Sequence, residues 1–182
     1  MDIGKRIRKL RRQQDFTLQE IADKCGFTKS LLSKIENNVI SPPVSTLSKI
    51  ADALGVKIAA FFDEQGHSGP LLVTAEEINS GKLTKTDKGY FFYAYAAQKQ
   101  NKAMQPFYFV IRKNEVKRQA LSHVGEEFIY VLEGRMKYRI GNIEYTLKTG
   151  DGLYFDASDK HDFEAITNEV RYISVFTEGG RA

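Results

Sequence analysis

The feature that most constrains the fold is a change in hydrophobic periodicity about one third of the way along the 182-residue chain. Up to about Phe62, apolar residues recur every three to four positions, as on the buried stripe of a helix. From about Leu72 onward, aromatic and β-branched residues alternate with charged ones, as in half-buried strands. The chain is long enough for two small cores. We therefore predict an all-α domain over residues 1–62, a linker over residues 63–71 and an all-β domain over residues 72–182.

Local signals divide the first domain into five short helices. Thr17, with Glu20 three residues later, is the capping-box pattern that begins a helix, and Gly26 is suited to end that helix in a left-handed conformation. Thr28 is a competent cap for the next helix. This part of the chain is therefore predicted to form a helix, a tight turn and a second helix. The five predicted helices begin near Ile3, Thr17, Thr28, Val44 and Ile58.

The third predicted helix, residues 29–37, has two faces of opposite character. Leu32 and Ile35 are placed to point into a core. The other face has small hydroxyls, an amide and two lysines, which let the backbone and bases approach and supply donors for the major groove of DNA. The alternative is a helical bundle that uses the same residues to bind another protein. The polar face consists of Lys29, Ser30, Ser33, Lys34 and Asn37.

A cluster of six cations lies in the first predicted helix. Such a cluster can contact phosphates, and the alternative is an ordinary solvated helix face. The formal net charge of +4 and the isoelectric point near 9.0 favour a nucleic-acid partner only mildly. The six residues are Lys5, Arg6, Arg8, Lys9, Arg11 and Arg12.

The first domain resembles the helix-turn-helix of the XRE-type, or lambda-repressor-like, regulators over about residues 3–62. The resemblance implies an all-α, five-helix domain that binds duplex DNA. Leu18 stands where many members of the family have glutamine, so some specificity is expected to come from other residues. The resemblance is carried by residues 17–22, 26–37, 41–42 and 46–51.

The same resemblance implies roles for individual residues. Thr28 and the start of the second helix are expected to meet phosphate, because free backbone N–H groups collect at helix N-termini. Glu36 is expected to pair with a basic residue of the first helix, Arg11, and so to be structural. The residues expected on the recognition helix against the groove are Lys29, Ser30, Ser33 and Lys34.

Short strands separated by turns are predicted throughout the second domain. Regular strands without intervening helices favour a sandwich or a barrel. Period-two alternation places His123, Glu127 and Ile129 on one face of their segment. Tyr130, Tyr138, Phe155 and Phe163 are expected in the barrel core. The predicted strands are residues 90–95, 107–111, 128–132, 136–140, 143–147, 152–155, 163–166 and 170–176.

Two runs, residues 123–134 and residues 150–155 with His161, resemble the two motifs of the cupins. The resemblance covers about residues 70–178 and implies an all-β barrel of the double-stranded β-helix, or jelly-roll, type. Metal-binding cupins have a His-x-His-x-x-x-Glu run and a distant histidine. This chain has His123, Glu127 and His161 at three of those positions, with Leu121 where the first histidine belongs.

The departure at Leu121 leaves two uses of this site open. Two imidazoles and a carboxylate can hold a divalent metal such as zinc, iron, manganese or nickel. The same three groups can instead hydrogen-bond one another or a small organic effector. His67, in the linker, is expected to be solvated, and Cys25 to lie in the core of the first domain.

The joined domains resemble XRE–cupin regulators. The resemblance implies a DNA-binding transcription regulator that acts as a repressor rather than an enzyme, with a cupin domain that senses an effector. A homodimer is expected, binding a pseudo-palindromic operator whose half-sites lie about 34 Å apart. The alternatives are a metal-dependent cupin oxygenase or isomerase with an accessory helix-turn-helix, and a barrel that only dimerises.

Cysteine content and hydropathy indicate the cellular compartment of the protein. A single cysteine, Cys25, excludes an intramolecular disulfide and suits a reducing cytosol. No apolar run approaches the roughly 18 residues needed to cross a bilayer. We therefore expect a cytoplasmic protein with no membrane partner.

Overall fold

The structure is a computed structural model that describes residues 2–62, 69–80, 83–99, 102–118 and 120–177. Internal packing divides the chain into two compact units. The first is built on Met1–Pro70, with which Ala97–Asn101 is grouped, and the second on Leu71–Ala96 and Lys102–Ala182. Most of the predicted linker, including His67, lies outside the described residues.

The first unit is all-helical, as predicted. Its helices begin within one residue of the positions inferred from caps and periodicity, and the last is a single 3₁₀ turn. In the described part of the chain, no helix is both long enough and apolar enough to span a membrane. The helices are α1 (Ile3–Gln13), α2 (Leu18–Cys25), α3 (Lys29–Glu36), α4 (Val44–Leu54) and the 3₁₀ helix (Ile58–Phe61).

Side-chain caps fix the turn between α2 and α3. The Thr17 hydroxyl accepts from the Glu20 backbone N–H at 3.2 Å, and the Glu20 carboxylate accepts from the Thr17 N–H at 2.7 Å. Gly26 ends α2 with a left-handed φ of 66°, and the Thr28 hydroxyl accepts from the Leu31 N–H. Each cap contributes about 1 kcal/mol to helix stability. The helix, turn and helix therefore follow from local chemistry.

The inward stripes of these helices meet in one core. Because its members come from α1, α2, α3 and α4, forming the core fixes all four helices together. Most polar residues of these helices are left to solvent, and the buried exceptions are Arg11, Glu36, Ser45 and Ser48. Fully or almost fully buried members of this core are Ile7, Ile21, Leu32, Ile35, Leu47 and Ile50.

The second unit is a two-sheet β structure. The larger sheet has the strand order β1-β2-β3-β9-β4-β7, the smaller has the order β6-β5-β8, and the registered pairs within both are antiparallel. The expected all-β class is confirmed. The strands of the described residues are β1 (Thr84–Lys85), β2 (Phe91–Ala94), β3 (Met104–Arg112), β4 (Glu126–Glu133), β5 (Arg135–Ile140), β6 (Ile143–Lys148), β7 (Gly152–Asp156), β8 (His161–Ala165) and β9 (Glu169–Thr177).

Two elements of this unit were not predicted. A helix, α5 (Ala75–Asn79), precedes the strands, so the expectation of strands without an accompanying helix is wrong at this point. The helix has one turn and a half, too short to show a period. It forms because Thr74 and Glu77 make a capping box at its start. β1, with only two residues, is held by its pairing with β2.

Alternation along β4 sorts the side chains between the barrel interior and the surface. Glu127, Ile129 and Val131 are buried, whereas Tyr130 is 41% exposed. The prediction that Tyr130 belongs to the core is therefore wrong, because it alternates with inward-facing neighbours on both sides. The other three aromatic residues predicted in the core, Tyr138, Phe155 and Phe163, are buried.

Candidate functional site

The polar side chains predicted to meet DNA lie along α3 and at its two caps. Leu32 and Ile35 face the core, at 0% and 1% exposure, which directs the opposite side of the helix to solvent. Ser33 is half-buried, and its neighbours on this face are exposed. We call this surface the recognition face, and it consists of Thr28, Lys29, Ser30, Ser33, Lys34 and Asn37.

A buried ion pair anchors α3 to α1. Glu36 is 1% exposed, and its carboxylate accepts from Arg11 Nε at 2.6 Å and from Arg11 Nη2 at 2.8 Å. Arg11 Nη1 also donates to the Phe16 carbonyl oxygen at 2.7 Å. The hydrogen bonds to Glu36 raise the pKa of Arg11. The predicted pairing is confirmed, and its two-pronged geometry fixes the orientation of the recognition face relative to α1.

Asn37 is held more tightly than the other residues of the recognition face. Its amide oxygen accepts from Arg8 Nη2, and its amide nitrogen donates to the Ser33 carbonyl oxygen at 2.8 Å. Asn37 is the C-cap of α3, one residue beyond the helix. A base contact by Asn37 would therefore use the second lone pair of the amide oxygen or replace one of these hydrogen bonds. The sequence pattern placed Arg8 in the basic run of the first helix but did not indicate its contact with Asn37.

In the barrel, the predicted His–Glu–His group comes together. Glu127 is an inward residue of β4, His161 begins β8, and His123 precedes β4. The Glu127 Oε2 atom lies 3.2 Å from His123 Nε2 and 3.7 Å from His161 Nε2. The three ligand atoms lie within 4.8 Å of one another. Neighbouring ligand atoms of a metal with bonds near 2.1 Å are about 3.0–3.5 Å apart, so small movements would complete a site.

The other ring nitrogens are oriented by backbone carbonyls. His161 Nδ1 lies 2.8 Å from the Asp159 carbonyl oxygen, and His123 Nδ1 lies 3.2 Å from that of Val124. A ring whose Nδ1 donates to a carbonyl presents an unprotonated Nε2 to a metal. Both Nε2 atoms face Glu127, so the donor set fits a divalent cation.

Burial and charge set the protonation states of the group. Burial raises the pKa of the Glu127 carboxyl, but the hydrogen bond from His123 and the charge of His161 outweigh burial, so the pKa lies below its ordinary value. Burial lowers the pKa of His161, which favours its neutral form. Metal ligation requires both Nε2 atoms to be unprotonated, so a bound metal would replace the hydrogen bond from His123 and the charge of His161 as the partner of the Glu127 carboxylate.

Leu121 lies beside this group without contributing a ligand. Its backbone pairs with that of His161 through hydrogen bonds of 2.7 and 2.9 Å, which hold the histidine in place. An aliphatic side chain has no lone pair. The described residues therefore offer three protein ligands here, and further coordination positions fall to water or ligand.

Two buried polar residues of the barrel were missed by sequence reasoning. The Ser174 hydroxyl donates to Glu127 Oε1 at 2.6 Å. Gln105 is 1% exposed, and within the described residues neither polar atom of its amide has a hydrogen-bond partner. Gln105 and Glu127 both pair in register with Phe176, from opposite sides, so all three share one row of the sheet. Polar residues at inward positions of apolar strands were the available signal.

Aromatic rings surround the histidines. The His123 ring centroid lies 4.9 Å from that of Phe176, and the His161 ring centroid lies 5.1 Å from Phe155 and 6.1 Å from Tyr138. These rings exclude water and lower the local dielectric, which strengthens polar contacts made inside the barrel.

Comparison with known proteins matches both units. A helix-turn-helix family model matches residues 7–61, and a cupin domain model matches residues 107–176. The HTH-type transcriptional regulator PuuR of Escherichia coli (strain K12) is 27% identical over 177 residues, which cover 96% of this chain and 94% of PuuR.

Two solved structures share the whole architecture. An HTH_3 family transcriptional regulator from Vibrio cholerae superposes with a TM-score of 0.73 at 23% identity, covering 98% of this chain and 96% of that one. The hydroxypropylphosphonic acid epoxidase from S. wedmorenis superposes with a TM-score of 0.51 at 22% identity, covering 96% of each chain. At these identities, the two likenesses show the fold.

Proposed function

Because the chain belongs to the XRE-type helix-turn-helix transcription regulators that carry a C-terminal cupin domain, we propose that it is a repressor whose barrel senses a small molecule. DNA binding and the cupin domain come with the family. Repression, the operator and the effector are our proposals. The observation that carries operator binding is the recognition face, in which small and cationic side chains are exposed opposite a buried stripe.

We propose that α3 enters the major groove of an operator. Lys29 and Lys34 supply cationic donors to bases or phosphates, and Ser30 and Ser33 let the helix approach closely while offering hydroxyls. Thr28 sits where the free N–H groups of α3 begin, which suits a phosphate. Asn37 joins the interface through the second lone pair of its amide oxygen, or by giving up its hydrogen bond with Arg8.

We propose that the operator is pseudo-palindromic and that the protein binds it as a homodimer. One small helical module contacts few phosphates, so its specific affinity is low. Two modules, bound to half-sites about 34 Å apart, combine their contacts on one face of the duplex. A two-fold symmetric protein requires a two-fold symmetric site.

We propose that the barrel holds a divalent metal at His123, Glu127 and His161, with zinc, iron, manganese or nickel as candidates. A bound metal would supply a Lewis-acidic position for an oxygen- or nitrogen-bearing effector. The amide of Gln105, which has no hydrogen-bond partner in the part of the chain that the structure describes, supports a polar effector, because such a ligand would satisfy a buried donor and acceptor.

The proposed function is tested by binding of full-length protein to a library of genomic DNA fragments, followed by Lys29→Ala and Lys34→Ala variants on the selected fragment. We expect a preferred fragment with an inverted repeat, and weaker binding by both variants. Lys113→Ala, which removes one exposed lysine of the second unit, is the charge-matched control. Equal affinity for every fragment would contradict the proposal.

A metal-dependent cupin oxygenase or isomerase is the second candidate, favoured by the convergence of His123, Glu127 and His161. Two histidines and one carboxylate with open positions form the ligand set of non-haem iron oxygenases. Metal analysis of the purified protein and a turnover screen with the metal-loaded chain separate the candidates. An enzyme would turn over a substrate, whereas a sensor would bind its ligand unchanged.

A further inference from the structure

An open groove of about 410 Å³ runs along the exposed side of α1, and the recognition face does not include it. Lys5 and Lys9 are exposed on this side, as is Arg12. Between Ile3 and Gln13 the helix has six cations and no acidic residue. We call this surface the basic groove, and its lining residues are Lys5, Arg8, Lys9, Arg12 and Gln13.

The cations of α1 have divided roles. Arg11 is paired with the buried carboxylate of Glu36, and Arg6 donates to the Ala60 carbonyl oxygen. Both cations therefore hold the helical unit together. Lys5 pairs with Asp2 at the start of the helix, but its side chain remains 78% exposed. Exposed ion pairs of this kind contribute little to stability and exchange readily for another anion. Lys5 can therefore exchange its partner for an anion from outside the chain, whereas Arg6 and Arg11 are held in the packing of the helical unit.

The basic groove borders the recognition face. Arg8 lines the groove and also donates to the Asn37 amide oxygen and to Glu36 Oε2, both at the end of α3. A molecule in the groove would therefore lie alongside any duplex that α3 enters. We propose that the basic groove binds the phosphate backbone of that duplex, flanking the groove read by α3. This inference rests on the proposed function, because it assigns additional contacts to the same DNA.

The spacing of the cations suits a phosphate backbone. Lys5, Lys9 and Arg12 stand at i, i+4 and i+7, which places them in one line along the helix. Seven residues of α-helix rise about 10 Å, which exceeds the 3.4 Å or so by which successive phosphates of one strand advance along the duplex axis. The line is therefore long enough to meet more than one phosphate. Arg12 adds a planar fork for two phosphate oxygens, and the Gln13 amide adds a neutral donor.

The composition of the groove favours a polyanion over a membrane or a protein surface. Its lining has four cations and one amide, with no large apolar side chain. Helices that lie on membranes insert apolar residues beside their cations, and stable protein interfaces have an apolar centre. Charge is the dominant attraction here, which is typical of sequence-independent contacts with DNA.

The test is the salt dependence of binding to a mixed-sequence duplex, measured by fluorescence anisotropy with full-length protein. The variant is Lys5→Gln/Lys9→Gln/Arg12→Gln. Each phosphate contact contributes about 0.9 to the slope of log affinity against log salt. The variant should therefore lose about two to three slope units. Between about 50 and 200 mM KCl, the fold-loss of affinity should be smaller for the variant than for the wild type, by a factor of roughly 10 to 40.

Two controls keep the outcome interpretable. Lys113→Gln/Lys148→Gln/Lys160→Gln removes the same charge from exposed positions of the second unit and should keep the wild-type slope. Lys5→Arg/Lys9→Arg should also keep the slope, because it retains charge. Far-UV circular dichroism checks that each variant is folded, and a variant that is unfolded is replaced by the single change Arg12→Gln, with an expected loss of about one unit.

The results separate this inference from the proposed function. If the basic-groove variant keeps the wild-type slope, or loses only its binding to vesicles of anionic lipid, the inference is overturned while the recognition face can still bind DNA. If the wild type prefers no genomic fragment, the proposed function fails. A preference for the operator over other DNA that is unchanged in the variant supports backbone contacts, since phosphate contacts carry no sequence information.

Discussion

The buried pair of Arg11 and Glu36 gives the sharpest stability prediction. Replacing Arg11 with Met leaves the Glu36 carboxylate, 1% exposed, with Arg8 Nε at 3.3 Å as its remaining guanidinium partner among the described residues. Breaking a buried pair by removing one partner costs about 3–5 kcal/mol. Because Arg8 compensates in part, we expect the free energy of unfolding to fall by about 3 kcal/mol. The total free energy of unfolding of a helical unit of this size is roughly 3–9 kcal/mol, so this loss is a large fraction of it.

The composition of the chain makes the assay specific to one unit. All nine tyrosines lie at or beyond Tyr90, so tyrosine fluorescence reports on the second unit, whereas far-UV circular dichroism reports mainly on the helices. For a domain this small, about 3 kcal/mol lowers the melting temperature by roughly 12–24 °C. Arg11→Met should shift the circular-dichroism transition by this amount and leave the tyrosine transition in place.

Two further variants complete this experiment. Arg11→Met/Glu36→Met should recover most of the lost stability, because an apolar pair of similar volume often replaces a buried ion pair without loss. Arg112→Met breaks an exposed pair with Glu169 at 3.0 Å and should change stability by less than about 1 kcal/mol. An Arg11→Met melting temperature within a few degrees of the wild type, or a double variant as unstable as the single one, would refute the reasoning.

Three other predictions follow from the structure. In a zinc titration of the full chain, Glu127→Gln should weaken zinc binding by at least about tenfold, whereas Glu126→Gln, at the exposed neighbouring position, should not. Equal zinc affinities of the two variants would exclude Glu127 as a ligand. Burial raises the pKa of the Cys25 thiol to about 11, so iodoacetamide at neutral pH should modify the native protein far more slowly than the denatured protein, and equal rates would show that the thiol is not protected. Gly26→Ala should lower stability by about 1 kcal/mol, because φ at this position is 66° although the added Cβ would meet nothing within 4 Å. In Gly4→Ala, the added Cβ would lie 2.2 Å from the Ile35 carbonyl oxygen. Thermal melts should therefore show Gly4→Ala to be much the less stable variant, and the reverse order would contradict the packing of α1 on α3.

The helical unit could be predicted closely because its signals are local. Thr17 and Glu20 cap a helix within three residues of sequence, and Gly26 ends it through its own φ. The Arg11–Glu36 pair spans 25 positions and came instead from the family resemblance. The contact of Arg8 with Asn37 depends on how α1 packs against α3, and no local pattern encodes that packing.

The barrel shows the corresponding limit. The family resemblance, carried by motif spacing, brought His123, Glu127 and His161 together correctly, although β4 and β8 belong to different sheets and no strand register joins them. Tyr130 was misplaced because its aromatic character suggested the core, whereas alternation with the inward-facing Ile129 and Val131 puts it on the outer face of β4. Gln105 joins the row of Glu127 through pairing across β9, a relation between distant strands that alternation within one strand does not reveal.

Entry of the recognition face of α3 into duplex DNA can be observed by amide chemical-shift mapping of isotope-labelled, full-length protein titrated with the preferred genomic fragment. We expect the largest shifts on residues 28–34, with smaller shifts along Lys5, Lys9 and Arg12. Shifts confined to the second unit, or to the faces of α2 and α4 away from α3, would contradict it.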